Sequence, residues 1–245
     1  MNSSISVVIP VYNSESSLNY LCDLLSTVLE STFSRYEIIF VDDGSVDNSY
    51  EVMLDLFNKR TNIKIIRLNG NYGQQNALIC GFQYASFDYV VTMDDDLQHP
   101  PTEILELYEK ILQGYDVVYG IPIKKQHSNY RNLGTKATDM LFNLITSKPK
   151  NLKVSSFRII NRKFISKIIS DKSSFVYISA ITFKNTNKVA NVYVKHNPRK
   201  YGRSNYSFFR LIKQYLKLFI YYAPFSLLKI FRSNKPQYII KNIHM

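Results

Sequence analysis

Short apolar runs alternate with amphipathic stretches along the first half of the chain. The apolar runs are rich in Val, Ile and Tyr and have the length of buried strands, whereas the amphipathic stretches repeat their apolar residues at the helical period. The predicted strands are Ile5–Tyr12, Tyr36–Val41, Ile63–Leu68, Tyr89–Met93 and Asp116–Tyr119. The predicted helices are one through Leu18–Leu29, one from Asp47 through Phe57, one over Gly73–Ala85 and one that starts at Pro100-Pro101. This alternation predicts an α/β fold with a mostly parallel sheet flanked by helices.

The second half of the chain is less regular. Its patterns predict, in order, helix Asn129–Ile145, strand Val154–Ile160, helix Arg162–Ile169 and strand Lys188–Val194. A basic turn follows at Asn197–Ser204, and the segment Tyr206–Phe231 is amphipathic. We therefore predict one domain in two halves, residues 1–120 and 121–204, followed by a basic amphipathic C-terminal helical segment, residues 205–245.

The two halves carry opposite charge. Residues 1–120 contain 6 Lys/Arg and 17 Asp/Glu, a net charge of −11. Residues 121–245 contain 25 Lys/Arg and only two acids, Asp139 and Asp171, a net charge of +23. An acidic region favours cations, and a basic region favours phosphates, nucleic acid or an anionic membrane.

Three consecutive carboxylates, Asp94-Asp95-Asp96, directly follow the strand Tyr89–Met93. Like charges this close repel one another and raise each other's pKa unless a cation neutralises them. Mg²⁺ or Mn²⁺ typically binds one or two carboxylates while also holding a phosphate. The alternative is a solvated loop with helix-capping Asp residues. The position at the carboxyl end of a strand, where open α/β sheets bind ligands, favours a site.

Two other strand ends carry polar residues to the same edge of the sheet. Tyr12 and Glu15 follow the first strand, and Asp42 and Asp43 follow the second. In a parallel sheet these ends lie together, and an Asp there can accept hydrogen bonds from a ribose hydroxyl or a base N–H. For Asp42 and Asp43 alone, ordinary turn chemistry in Asp-Gly-Ser remains the alternative.

Five motifs together resemble a known family. They are Ile9-Pro10-Val11-Tyr12-Asn13, Val41-Asp42-Asp43-Gly44-Ser45-Val46-Asp47, Asn71-Tyr72-Gly73-Gln74, Asp94-Asp95-Asp96-Leu97-Gln98-His99-Pro100-Pro101 and Gly114-Tyr115-Asp116-Val117-Val118-Tyr119-Gly120. In order and spacing they resemble the family-2 glycosyltransferases of GT-A fold, in particular the branch that transfers sugars to polyprenyl (dolichyl or undecaprenyl) phosphates. The resemblance extends from about residue 5 to residue 232.

The resemblance implies an inverting enzyme with a nucleotide-sugar donor and a divalent metal, Mg²⁺ or Mn²⁺. Residues 1–120 would bind the donor and residues 121–204 the acceptor. By the resemblance, the substrate-binding residues of the first half are Pro10, Tyr12, Glu15, Asp42, Asp43, Asp94 and Asp95. Asp94 and Asp96 form the D-x-D pair, Gln98 completes the metal shell, and Asp96 is a catalytic residue.

Basic residues of the second half are similar to family positions that gather phosphates. They are the catalytic candidates Arg131 and Arg158 and the substrate-binding candidates Arg199, Arg203 and Ser204. Guanidinium groups suit this task because they bind phosphate through two hydrogen bonds and stay charged. The alternative for any one of these arginines is a solvated surface charge.

Two positions depart from the family pattern. Ile121-Pro122 stands where the family often has Arg, and Asn205 stands where it often has Lys. Lys124, Lys125 or Arg203 are candidates to compensate. These departures make the acceptor site less well defined by sequence than the donor site.

The scarcity of acids in the second half distinguishes two acceptors. An inverting transfer to a sugar hydroxyl needs a general base, and the resemblance implies that this acid lies in the second half, where only Asp139 and Asp171 are available. A phosphate is already an anionic nucleophile and needs cations instead. The sequence therefore favours a polyprenyl-phosphate acceptor. The alternative is a lipid-linked glycan extended at a hydroxyl, as in O-antigen or capsule assembly. The Asn-, Lys- and Ile-rich composition separately suggests a role in bacterial surface polysaccharide biosynthesis.

The amphipathic segment also predicts a membrane contact. The longest charge-free apolar stretch, Leu218–Leu228, is too short to span a bilayer. Basic and aromatic residues around it favour in-plane attachment to an anionic membrane surface; the alternative is a helix packed on the domain. We expect a cytoplasmic protein, peripheral on the inner face of the cell membrane. This agrees with Cys22 and Cys80, which have the features of reduced core thiols, and with an N-terminus lacking the basic region of a signal peptide.

Two other classes of protein share some of these features. A nucleotidyltransferase has a similar sheet and acidic site, but usually a glycine-rich phosphate loop that is absent after Val11. A nucleic-acid-binding protein would fit the high pI, but no nucleic-acid motif appears, so no nucleic-acid partner is expected. The sequence specifies no oligomeric state.

Overall fold

The computed structural model describes residues 3–123, 148–198, 216–222, 230, 232–233 and 235–245. The strands are β1 Ser4–Val11, β2 Arg35–Asp42, β3 Ile63–Leu68, β4 Tyr89–Thr92, β5 Val117–Pro122, β6 Arg158–Asn161, β7 Val189–Val194 and β8 Ile240–His244. The helices are α1 Leu18–Thr32, α2 Ser49–Lys59, α3 Gln74–Tyr84, α4 Ile104–Ile111, α5 Arg162–Ile169 and α6 Ile178–Asn185. A 3₁₀ turn, Pro101–Glu103, leads into α4, and residues 216–222 are also helical.

The strands form one mixed sheet in the order β7-β5-β6-β4-β1-β2-β3-β8. Strands β4, β1, β2 and β3 are parallel, as are β5 and β7, whereas β6 and β8 run antiparallel to their neighbours. The predicted α/β fold with a mostly parallel sheet is therefore confirmed.

Two apolar layers cover the faces of this sheet. Ile5, Val7 and Ile9 of β1 face the layer built with α1, α2 and α4, and Val8 faces the layer built with α3, α5 and α6. Helix α3 lies very close to β1, because a Cβ at Gly81 would come within 2.3 Å of the Val8 side chain. This packing fixes the start of α3 beside the carboxyl ends of the strands.

Several predicted elements differ in their bounds. The predicted strand Val154–Ile160 begins only at Arg158 as β6, since the Ser155 hydroxyl binds the Phe157 N–H and the Ser156 hydroxyl binds a distant side chain. Local hydrogen bonds of this kind compete with sheet pairing. Helix Arg162–Ile169 agrees with α5, α6 was not predicted, and the predicted helix Asn129–Ile145 lies outside the described residues.

Part of the predicted C-terminal segment belongs to the sheet. Strand β8 pairs with β3 at the sheet edge, and its mostly exposed, polar pattern gave no sequence signal. In the helical stretch 216–222, Leu218 is buried and the Tyr222 hydroxyl accepts a hydrogen bond from the Tyr177 N–H at 3.0 Å, while Leu216 is 59% exposed. Within the described part of the chain, no helix has both the length and the apolar character needed to cross a membrane.

Candidate active site

The register of three parallel strands brings the acidic residues to one edge. Val11 pairs with Asp42 across β1 and β2, and Val8 pairs with Thr92 across β1 and β4. The backbone N–H of Asp43 then binds the carbonyl of Val11 at 2.8 Å. The loops that follow β1, β2 and β4 therefore leave the sheet side by side. We call this group of loops the carboxyl edge.

Asp42 lies fully buried at the end of β2. Its Oδ1 accepts a hydrogen bond from the Ser45 N–H at 2.8 Å. Its Oδ2 lies 3.2 Å from Arg67 Nε, close enough for an ion pair but without the alignment of a hydrogen bond, so this buried oxygen has no hydrogen-bond partner. Arg67 in turn lies over the ring of Tyr50, 4.2 Å from its centroid. An unsatisfied buried acceptor is costly, and it marks Asp42 as a candidate ligand-binding group.

Asp43 connects the β2 loop to the start of α3. Its two carboxylate oxygens accept hydrogen bonds from the N–H groups of Tyr72 and Gly73, at 2.6 and 2.8 Å. Burial raises the pKa of Asp43 to about 6. Gly44 adopts φ +75°, and a Cβ there would lie 2.6 Å from the Gly70 carbonyl carbon. The two loops therefore touch at backbone level, and the Asp43 carboxylate is engaged in holding them together.

Both carboxylate oxygens of Asp94 accept hydrogen bonds. Its Oδ1 accepts a hydrogen bond from Gln74 Nε2 at 2.5 Å, and its Oδ2 accepts one from the Ser156 hydroxyl at 2.7 Å. Burial is the largest cause that raises the pKa of Asp94, and the neighbouring Asp96 raises it further. The hydrogen bonds and the charge of Arg158 oppose this rise. Asp94 is thus a positioned acceptor that concentrates negative charge at this edge.

Asp95 links the β4 loop to the β1 loop. Its Oδ2 accepts a hydrogen bond from the Ser14 hydroxyl at 2.6 Å, and burial raises its pKa to about 6. Ser14 stands two residues after the half-exposed Tyr12 and follows Asn13, which adopts φ +55°. Since non-glycine residues seldom adopt positive φ, such backbone outliers are often found at functional sites.

Asp96 and Gln98 form a tight turn at the surface. The Gln98 N–H donates to Asp96 Oδ1 at 3.1 Å, and Leu97 between them adopts φ +61° while its side chain is buried. Gln98 also pairs with the segment after β7, because the Asn197 N–H donates to the Gln98 carbonyl at 2.7 Å. The turn therefore places the Asp96 carboxylate and the Gln98 carboxamide at the carboxyl edge.

A family comparison agrees with this arrangement. Residues 6–178 match the model of "Glycosyl transferase family 2". The chain belongs to this family. The predicted membership among the glycosyltransferases is thereby confirmed.

Two curated members of the family are similar in sequence. Both are named undecaprenyl-phosphate 4-deoxy-4-formamido-L-arabinose transferase, from Pectobacterium carotovorum and Pectobacterium atrosepticum. Each is 39% identical over 212 residues, which covers 85% of this chain and 64% of the relative. The chain therefore spans less than two thirds of the length of these relatives.

Solved structures confirm the GT-A type of fold. Glucosyl-3-phosphoglycerate synthase from Mycobacterium tuberculosis, in complex with Mn²⁺, UDP-glucose and phosphoglyceric acid, superposes with a TM-score of 0.66 at 17% identity, over 89% of this chain and 78% of that one. A second crystal structure of that enzyme with the same ligands gives a TM-score of 0.68 over 91% of this chain and 81% of that one. Identity this low supports a shared fold and nothing finer.

The structure of this family-2 glycosyltransferase brings together most of the predicted donor residues. Tyr12, Asp42, Asp94, Asp96 and Gln98 all lie on the carboxyl edge. Two other predicted residues occupy less accessible or structural positions. Pro10 is buried inside β1, and the Glu15 carboxylate accepts a hydrogen bond from the Asn48 N–H at the start of α2.

Of the predicted phosphate-binding residues in the second half, the structure describes only Arg158. Arg158 is only 2% exposed and lies beneath the carboxyl edge within the sheet. Arg131, Arg199, Arg203 and Ser204 lie outside the described residues, as do Lys124, Lys125 and Asn205.

Three residues that hold the site had no predicted role, although Gln74 belongs to one of the motifs that carry the resemblance. Arg67 faces Asp42 because the two are paired in register across β2 and β3, and an arginine within the apolar strand Ile63–Leu68 was the available signal. Gln74 and Ser156 hold Asp94 from elements far apart in the chain, and nothing in their local sequence indicates this contact.

Proposed function

We propose that this glycosyltransferase moves a sugar from a nucleotide sugar to the phosphate of a polyprenyl phosphate, in bacterial surface polysaccharide biosynthesis. The observation that carries the acceptor class is the 39% identity to two transferases whose names specify undecaprenyl phosphate. The likeness covers 85% of this chain, so it extends into both the acidic and the basic half.

The carboxyl edge supplies the donor side of this proposal. Tyr12 and Asp42 are the nucleoside contacts, and the Oδ2 of Asp42, which has an ion pair with Arg67 but no hydrogen-bond donor, is an acceptor for a base N–H. Asp42 is fully buried, so such a contact requires local movement at the edge. Asp43 and Asp95 hold the surrounding loops in place through Tyr72, Gly73 and Ser14.

The same edge suits a divalent metal. Among the described residues, no three His, Cys, Asp or Glu side chains form a cluster able to hold an ion alone. Two carboxylates with a carboxamide fit Mg²⁺ or Mn²⁺ all the same, because these ions commonly take their other ligands from substrate phosphates and water. Asp94, Asp96 and Gln98 are the residues that would hold it. The bound metal would neutralise the charge of the leaving diphosphate.

The reaction then needs no general base. A phosphate oxygen of the acceptor attacks C1 of the sugar, the bond from C1 to the donor phosphate breaks, and the nucleoside diphosphate leaves with the bonding electrons, which inverts C1. In the described part of the second half the only carboxylate is Asp171, and its Oδ1 already accepts hydrogen bonds from the Ser173 N–H and hydroxyl. This supports a phosphate over a sugar hydroxyl as the nucleophile.

A donor screen with undecaprenyl phosphate and Mn²⁺ tests the proposal. The expected product is a lipid monophosphate carrying one sugar, with release of nucleoside diphosphate, identified by mass spectrometry. A product formed only with a lipid-linked glycan acceptor would establish the hydroxyl-extending alternative. No turnover with any nucleotide sugar and either acceptor would refute the proposal.

We also propose that the enzyme acts at the cytoplasmic face of the membrane, where it binds the anionic surface peripherally. The exposed Leu216 beside Lys217 in a chain half of net charge +23 supports this. Co-sedimentation with vesicles of phosphatidylglycerol should exceed that with phosphatidylcholine and fall with added salt. Equal binding to both vesicles would contradict it.

A further inference from the structure

Arg158 is a fully buried cation with an unusual set of partners. Its Nε donates to the Thr92 hydroxyl at 3.2 Å, and its Nη1 donates to the Ser179 hydroxyl at 3.3 Å. Its guanidinium carbon lies 5.7 Å from the ring centroid of Tyr119. No carboxylate of the described residues forms an ion pair with it. Burial of an arginine without a direct ion pair is costly, so an explanation for its charge is needed.

A series of hydrogen bonds connects Arg158 to the acidic block, Asp94-Asp95-Asp96. Thr92, which accepts from Arg158, donates its hydroxyl proton to the carbonyl of Ser156 at 2.5 Å. The Ser156 side chain in turn donates to Asp94 Oδ2 at 2.7 Å. This chain of contacts fixes the backbone of Ser156 from one side and presents its hydroxyl to Asp94 on the other.

We propose that Arg158 is a positioning residue that acts through Thr92 and Ser156 to hold Asp94 for metal and donor binding, and that its charge balances the carboxylates of the edge. The inference rests on the proposed function of the carboxyl edge. It gives Arg158 a role beneath the site rather than the phosphate contact that the family resemblance implies. With 2% of its surface exposed, Arg158 has little surface available for a phosphate in this arrangement.

A purely structural role and a positioning role for Arg158 lead us to expect different effects when this residue is replaced. Arg158 has hydroxyl partners and no direct ion pair among the described residues, so Arg158→Met leaves no paired carboxylate behind, which is the costly outcome when one member of a buried pair is removed. Arg158→Met should therefore still fold, with a metal-free melting temperature close to that of the wild type. If the residue positions Asp94, the same variant should bind a metal more weakly, since loss of groups that orient metal ligands typically lowers affinity by about 10- to 100-fold.

The experiment is a Mn²⁺ titration of the full chain, with and without UDP, followed by the electron paramagnetic resonance signal of free Mn²⁺. Arg158→Met should lower the affinity for Mn²⁺ by about tenfold or more while the metal-free melting temperature is maintained. Arg158→Lys, which keeps the charge, should restore part of the affinity. Thr92→Val, which removes the bridge, should give an intermediate loss.

Arg162→Met is the matched control. Arg162 begins α5 at the other end of β6, and its Nη1 donates to the Phe82 carbonyl at 3.3 Å, away from the acidic block. Its Mn²⁺ affinity should equal that of the wild type. Wild-type affinity in a folded Arg158→Met variant would overturn the inference. If Arg158→Met does not fold, wild-type affinity in Thr92→Val would do the same.

The wild-type titration distinguishes a failure of the proposed function from a failure of the inference about Arg158. Saturable Mn²⁺ binding by the wild type, strengthened by UDP or by another nucleoside diphosphate, is what the proposed function requires. Its absence with every nucleoside diphosphate would count against the proposed function and the inference together. Its presence together with an unaffected Arg158→Met variant would count against the inference alone.

Discussion

Buried carboxylates have contrasting environments at the two ends of the parallel strands, the amino ends and the carboxyl edge. Near the start of β2, Glu37 accepts hydrogen bonds at Oε1 from the Ser6 hydroxyl and the Ser86 N–H, at 2.6 and 2.5 Å. Its Oε2 pairs with Lys64 Nζ at 2.7 Å. Every part of this carboxylate is therefore satisfied within the domain.

At the carboxyl edge, five aspartates lie on neighbouring loops. Burial raises the pKa of both Asp43 and Asp95 to about 6, and the Oδ2 of Asp42 lacks a hydrogen-bond partner. Arg67 pairs with Asp42, and Arg158 lies buried beneath Asp94. The difference indicates that Glu37 serves stability, whereas the carboxyl edge retains unfavourable charge that a cationic or hydrogen-bonding ligand can relieve.

The strongest test removes a carboxylate from the carboxyl edge. Asp96→Ala should lower metal-dependent sugar transfer by at least about a hundredfold, because stabilisation of the leaving diphosphate is lost. Its melting temperature without metal should be preserved, because Asp96 lies in a surface turn. Steady-state transfer and thermal unfolding measure both quantities. Asp88→Ala, an exposed acid at the other end of β4, is the control, and retained turnover in Asp96→Ala would refute the role of Asp96.

A second change addresses the nucleoside end. Asp42→Asn keeps an acceptor for the Ser45 N–H but removes the negative charge that pairs with Arg67 and changes the Oδ2 acceptor. We expect the KM for the nucleotide sugar to rise about 10- to 100-fold, the range for loss of a charge-assisted hydrogen bond, with little change in kcat. Asp47→Asn in the same loop is the control. A drop in kcat at constant KM would place Asp42 in the chemical step instead.

The contrasting change is made at the opposite edge. Glu37→Gln leaves Lys64 without its ionic partner in a half-buried position, and we expect the free energy of unfolding to fall by about 2 kcal/mol. Transfer per folded molecule should match the wild type. Urea unfolding and active-site-normalised kinetics provide the two measurements. A catalytic defect without loss of stability would show that the two edges are not as distinct as we infer.

The sequence predicts the carboxyl edge far better than it predicts the hydrogen bonds that hold the side chains of this edge. Apolar periodicity defines β1, β2 and β4, and parallel register then brings Asp42 and Asp94 to the same end of the sheet, so the carboxyl edge follows from local pattern and topology. The contacts of Gln74 and Ser156 with Asp94 depend on side chains brought together only by tertiary packing. Strand β8 was missed for a related reason, since an exposed edge strand needs no apolar alternation.

The smallest effect concerns the proton affinity of Asp43. Burial raises its pKa from 3.8 to about 6, so the folded state binds a proton more tightly than the unfolded state. The resulting contribution to stability is fully present below the unfolded pKa and is lost as the pH rises through about 6. Lowering the pH from about 7 to about 5 should therefore add about 1 kcal/mol to the free energy of unfolding through this group.

The variant Asp43→Asn isolates that contribution. Its difference in stability from the wild type, measured by urea unfolding across this pH range, should change by about 1 kcal/mol in the wild type's favour at the lower pH. Asp55→Asn, at an exposed acid paired with Lys59, should show no comparable change. If Asp43→Asn parallels the wild type at every pH, the Asp43 carboxylate has the same proton affinity folded and unfolded. Its two backbone hydrogen bonds would then fully offset its burial.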